Sequence, residues 1–182
     1  LPEYFNESSL AYEKIHSSVR VLEEQELVTA VWKNGKEGHI IEKVLLNDKN
    51  VAEAYAYLNR KPRREYVREN LELLEEAKER YQTPILQGFL AYLQERLIEG
   101  KSVKEFIDIE KPDKTRKILK AVGELENNRE DCYIREFSIR HFGNSKTLKS
   151  MLGVVRKILQ RFGEGFEDMD DCGILAEYSV YH

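Results

Sequence analysis

The run Gly143, Asn144, Ser145, Lys146 and Thr147 is a place in this sequence where an anion could be held. A tight turn opening a helix leaves backbone N–H groups free, and together with the helix dipole and the Lys146 ammonium they would face a phosphate. It is not a Walker A loop, because Ser138 stands where the earlier glycine is required. A plain serine cap beside a solvated lysine is the alternative. Arg60, Lys61, Arg63 and Arg64 flank Pro62 and concentrate positive charge at a predicted corner between helices. In a DNA binder they would lie along phosphates and give affinity without sequence information. Otherwise they are a solvated corner paired with nearby glutamates. Arg135, Arg140, Lys146 and Lys149 add a second set of candidate DNA-binding bases.

Other side chains offer less chemistry. Glu164, Glu167, Asp168, Asp170 and Asp171 could suggest a metal, but Cys172 and Ser179 stand where a calcium loop needs oxygen ligands. Carboxylates just before a helix are favoured by its dipole in any case. His16, His39, His141 and His182 lack zinc-site spacing, and neither a nucleophile elbow nor Ser-x-x-Lys occurs. The expectation is no catalytic residue, no metal ligand and no cofactor within this chain.

The formal net charge of -4 argues mildly against a protein that coats nucleic acid indiscriminately, yet its distribution is uneven. Residues 1–59 carry ten acids against six bases, whereas residues 132–162 carry seven bases against one acid, Glu136. Cys132 and Cys172 lie far apart and read as reduced thiols, which with the absence of an apolar leader or span points to a cytoplasmic protein. A first residue other than Met suggests a piece of a longer protein.

The elements that would position these residues can be read from spacing and caps. Ser9 caps a helix to about Gln25 with Ile15, Val19 and Leu22 on one face, and its other side would present Tyr12, Lys14, Ser17 and Arg20. Runs 28–32 and 40–46 flank Asn34, Gly35 and Gly38, which predicts a β-hairpin. Helix followed by hairpin is the second half of a winged helix, with residues 33–39 as the wing. Asn50 is expected to cap a short helix, and Pro62 to stand at the first position of the next, with Val67, Leu71 and Leu74 inward. Thr83 and Pro84 open a helix carrying Ile85, Phe89, Leu93 and Leu97, stopped at Gly100. Ser102 to Glu105 reads as a capping box opening a short helix through Ile109. Another helix holds Ile118, Leu119, Val122 and Leu125. Residues 133–140 alternate in polarity and predict a strand. A long helix then carries Leu148, Leu152, Val155, Leu159 and Phe162, and Gly163 and Gly165 end it. A short helix around Ile174 and Leu175 closes the chain. The expected fold is α+β and mostly helical: a partial winged helix over 1–60, a helical region over 61–130, and a small strand-helix unit over 131–182 leading into a further domain.

Two stretches resemble a known family. The helix-hairpin run through residues 22–28, Trp32, residues 44–47, Ala54 and Tyr55 is one. The other is Arg135 and Glu136, an apolar stretch, then Gly143, Asn144, Ser145 and Lys146, similar to a family pattern of Arg-Glu, a strand and Gly-Asp-Ser-Lys; Asn144 departs from its Asp. Residues 171–180 resemble the segment leading into the next domain. Together they look like the JetD subunit of Wadjet anti-plasmid defence systems, relatives of the topoisomerase VI A subunit. The resemblance implies a winged-helix region, a C-terminal Toprim domain whose acids bind Mg²⁺ and cleave DNA, and action with an SMC-type complex. The Toprim acids are absent here, so the chain is expected not to cut DNA itself. Topoisomerase relatives use a winged-helix tyrosine as nucleophile; Tyr12 lies on a suitable helix but has no identifiable base or metal, and is not expected to take that role.

Three functions therefore stand open: a DNA-binding, regulatory N-terminal part of a Toprim nuclease; a winged-helix module docking an SMC-type partner; or a winged-helix transcriptional regulator. The expected partners are double-stranded DNA and SMC-type subunits, with a homodimer possible and no membrane.

Overall fold

The computed structural model describes residues 2–181; His182 lies outside them. It is 63% helical with two small sheets, the α+β, mostly helical class expected. The chain divides into two compact units, the first ending at Pro62 and the second starting at Arg63.

In the first unit, Ser9 caps α1 (Leu10–Glu24) by accepting the Tyr12 N–H at 3.1 Å. Glu26, in the left-handed region at φ 55°, turns the chain into β1 (Val28–Trp32), which pairs antiparallel with β2 (Ile41–Leu46) from Val28↔Leu46 to Trp32↔Ile41. Asn34, Gly35 and Gly38 supply positive φ in the connection, as turn chemistry requires. Val19, Leu27 and Ala30 are buried in this unit together with a cluster of aromatic rings. Tyr12 stacks on His16 with centroids 4.0 Å apart, and the Tyr4 hydroxyl meets His16 Nε2 at 3.1 Å and accepts the Ile41 N–H at 2.7 Å. Tyr12 thus faces the hairpin rather than the open side of α1. Its hydroxyl donates to the Gly38 and His39 carbonyls at 2.9 and 3.0 Å. The short helix α2 (Val51–Tyr57) follows, although the Asn50 side chain donates to the Glu26 carbonyl instead of capping it.

The second unit contains α3 (Arg63–Arg80), α4 (Pro84–Ile98), α5 (Pro112–Asn127), β3 (Cys132–Tyr133), α6 (Ile134–Phe142), α7 (Thr147–Phe162), α8 (Asp171–Glu177) and β4 (Val180–Tyr181), with β3 and β4 parallel. One apolar core runs from Leu74 to Val180 and includes fully buried Phe89, Leu93, Phe137, Leu148 and Leu159, so the segments on either side of residue 130 share it. Val67 and Leu71 pack at its margin. Thr83 and Pro84 do open α4, but the cap comes from α5. The buried Glu126 carboxylate accepts the Thr83 hydroxyl at 2.6 Å and the Ile85 and Leu86 N–H groups at 3.0 and 2.9 Å. Gly100 ends α4 at φ 71°, with its own N–H and that of Lys101 bonded back to Leu97 and Arg96 in a Schellman closure.

Two expected elements differ. Residues 134–142 form a helix, not a strand. Ile134, Phe137 and Ser138 are buried while Tyr133, Arg135 and Ile139 are exposed, a helical face rather than an alternating one. No helix opens at Ser102. Val103, Phe106 and Ile107 insert into the core from a single turn, and Glu105, needed for the capping box, instead pairs with Arg161 at 2.9 Å.

Candidate nucleic-acid interface

The geometry around the α6–α7 connection follows from one buried hydroxyl. Gly143 ends α6 in the left-handed region at φ 69°, which a residue with a Cβ adopts at a cost. Ser138, fully buried on α6, donates to the Asn144 carbonyl at 2.5 Å and accepts the Leu148 N–H at 3.1 Å. The Asn144 side chain accepts the Lys146 N–H at 2.8 Å. The Lys146, Thr147 and Leu148 N–H groups at the start of α7 are therefore occupied by the protein itself. The expected phosphate cradle loses these three donors, and the exposed basic side chains carry most of the positive charge here.

Those side chains are present. Tyr133, Arg135, Ser145, Lys146, Lys149 and Ser150 border a surface groove of about 800 Å³ between the start of α6 and the start of α7. Arg135, Lys146 and Lys149 are exposed, and none forms an ion pair among the described residues. Placing Arg135 on a helix rather than a strand brings it to the same groove as the two lysines. Three like charges, uncompensated around one concavity, make a local positive field in a protein of net negative charge.

The other bases fare differently. Arg140 pairs with Glu130 at 2.9 Å, so it is not a free contributor to the groove. On α7, Arg156 pairs with Asp171 at 3.0 Å, and Arg161 pairs with Glu105 and lies 4.6 Å from the centre of the Tyr92 ring. The boundary between units falls inside the Arg60 to Arg64 cluster, leaving Arg60 and Lys61 in the first unit and Arg63 and Arg64 in the second. The Arg63 guanidinium donates to the Gly100 carbonyl at 3.3 Å, and Arg64 is exposed.

The remaining candidates serve local structure. Asp170 caps α8 by accepting the Gly173 N–H at 2.8 Å, and Asp171 holds Arg156. No three His, Cys, Asp or Glu side chains converge on a possible metal position among the described residues. Cys132 and Cys172 are free thiols. Partial burial, then the Glu7 carboxylate, raises the Tyr12 hydroxyl above its usual pKa, the wrong direction for an activated nucleophile. Burial lowers the pKa of His141, against the opposing pull of Glu124 at 3.2 Å. No helix among the described residues is long and apolar enough to cross a membrane.

An exposed aromatic beside the groove is not among the residues that the sequence singles out. Tyr133, 61% exposed, precedes α6, and its N–H is held by the Glu136 carboxylate at 3.0 Å. A tyrosine two residues from an arginine was the available signal. Among known proteins, no family model, no curated protein and no solved structure matches the chain.

Proposed function

We propose that this chain is a non-catalytic, DNA-binding and regulatory part of a JetD-like Toprim nuclease working with an SMC-type complex in defence against plasmids or phage. The observation that carries the DNA part is the uncompensated triad Arg135, Lys146 and Lys149 around one groove. Such cations contact phosphates, release counterions and position a duplex without reading its sequence. The link to JetD rests on the Arg135-to-Lys146 resemblance. Asn144 departs from the family's Asp, but its side-chain oxygen accepts the Lys146 N–H, a task an Asp carboxylate performs equally well. Mg²⁺ would belong to the Toprim domain, not to residues here. The test is duplex binding by fluorescence anisotropy. Three phosphate contacts predict about a 40-fold loss of affinity between about 50 and 200 mM salt. Absence of binding at the lower salt would refute the reading.

A second reading is a protein-docking module for an SMC-type partner. It is favoured by apolar surface on the first unit, where Val44, Leu45 and Leu46 of β2 are 46%, 51% and 50% exposed. Substituting Val44 and Leu46 by Ser would abolish partner capture in that case and leave duplex binding intact.

A further inference from the structure

Beside the basic groove lies a second feature that duplex binding does not use. β3 and β4 pair in parallel with Tyr133 opposite Tyr181 and Cys132 opposite Val180. Residues in register on neighbouring strands point to the same face. Cys132 and Val180 turn inward, 6% and 0% exposed, so both tyrosines turn outward, 61% and 45% exposed. The register therefore places the two tyrosines next to each other on one outward face of the strand pair. Tyr133 also borders the groove of Arg135, Lys146 and Lys149.

Two outward aromatic rings next to uncompensated cations are the two components of a site for unpaired nucleic acid. Bases stack on rings irrespective of sequence, while the backbone follows the positive groove. A duplex keeps its bases stacked on one another and cannot use the rings. We infer that this surface takes a single-stranded segment of nucleic acid, with bases on Tyr133 and Tyr181 and phosphates on Arg135, Lys146 and Lys149; this rests on the groove being the nucleic-acid interface.

Among the nearby carboxylates, Glu130 is neutralised by Arg140 at 2.9 Å, whereas Glu136 accepts the Tyr133 N–H and keeps its charge. Asp131 remains, 3.4 Å from the Tyr181 hydroxyl, and opposes phosphate at that edge. Asp131→Asn is therefore expected to tighten binding of a single strand.

The experiment compares a short oligothymidylate, the matching oligouridylate and a duplex of equal length at about 100 mM salt, a level where phosphate contacts still contribute. Tyr133→Ala combined with Tyr181→Ala is expected to weaken both single strands at least about tenfold and the duplex less than about twofold, since stacking is lost only where bases are free. Tyr133→Phe with Tyr181→Phe should restore the binding, because the ring and not the hydroxyl stacks. The two oligomers binding alike assigns the site to single strands in general; a preference for one assigns it to that sugar. Duplex binding that survives while both single strands bind no better and ignore the tyrosine changes overturns this inference and leaves the groove reading intact. Failure of all three probes to bind overturns both.

Discussion

Arg135, Lys146 and Lys149 come from the same base-rich stretch as Arg140, Arg156 and Arg161, and their surroundings separate them. The latter three each meet a carboxylate within 3.0 Å, supplied by Glu130, Asp171 and Glu105. The former meet none among the described residues and share one groove. A paired cation serves the fold and has little field left for a ligand; an unpaired set offers no stability and keeps its field. Charge density along a sequence therefore overstates an interface, because it counts cations whose counter-charges lie far away in the chain.

The strongest way to break this contrast is to reverse charge on each set. Arg135→Glu with Lys149→Glu should lower duplex affinity about 100-fold, since two contacts become repulsive, with the melting temperature nearly unchanged. Arg156→Glu should do the opposite: it sets two carboxylates against each other at the start of α8 and lowers the melting temperature, while affinity shifts less than about twofold. Equal affinity losses in the two variants would erase the distinction.

Ser138→Ala tests the dependence of the groove on the buried hydroxyl. It strands the Leu148 N–H and frees the Asn144 carbonyl, so a destabilisation of about 1–3 kcal/mol is expected by denaturant titration. Duplex affinity should fall only a few-fold alongside it. Arg161→Ala removes an ion pair and the ring contact with Tyr92. Both are partly exposed, so the loss should be about 1 kcal/mol or less, with no change in DNA binding.

The smallest effect concerns pH. Burial lowers the pKa of His141 and of His16 in the folded chain, so the unfolded chain binds the extra protons. The stability that follows is present above their ordinary value of about 6.5 and is lost as pH falls through that value toward the depressed one. Melting temperature should therefore decline from pH about 7 to about 5.5, and His141→Gln should flatten that decline.

Much of the fold could be read from local signals. Ser9, Asn34 with Gly35, Thr83 with Pro84, and Gly100 mark boundaries that depend on backbone chemistry within a few residues. The stripe from Leu148 to Leu159 is long enough for its period to be unambiguous. Residues 133–140 are too few for that; their alternation of residue type satisfies a strand, and only Ile134, Phe137 and Ser138 meeting the core selects a helix. Ser102 to Glu105 has a valid capping pattern that burial of Phe106 and Ile107 overrides. For the site, Arg135, Lys146 and Lys149 could be picked out as basic residues, but their freedom could not. Ion partners such as Arg161 and Glu105 stand 56 residues apart, and the pairing of Tyr133 with Tyr181 depends on a parallel contact that no local pattern announces.

The salt dependence of duplex binding decides whether the groove of Arg135, Lys146 and Lys149 holds phosphates. With three phosphate contacts, log affinity against log salt should have a slope of about -2.7, and Lys146→Ala should make it shallower by about 0.9. A slope near zero, or one that Lys146→Ala leaves unchanged, would contradict the assignment of the groove to nucleic acid.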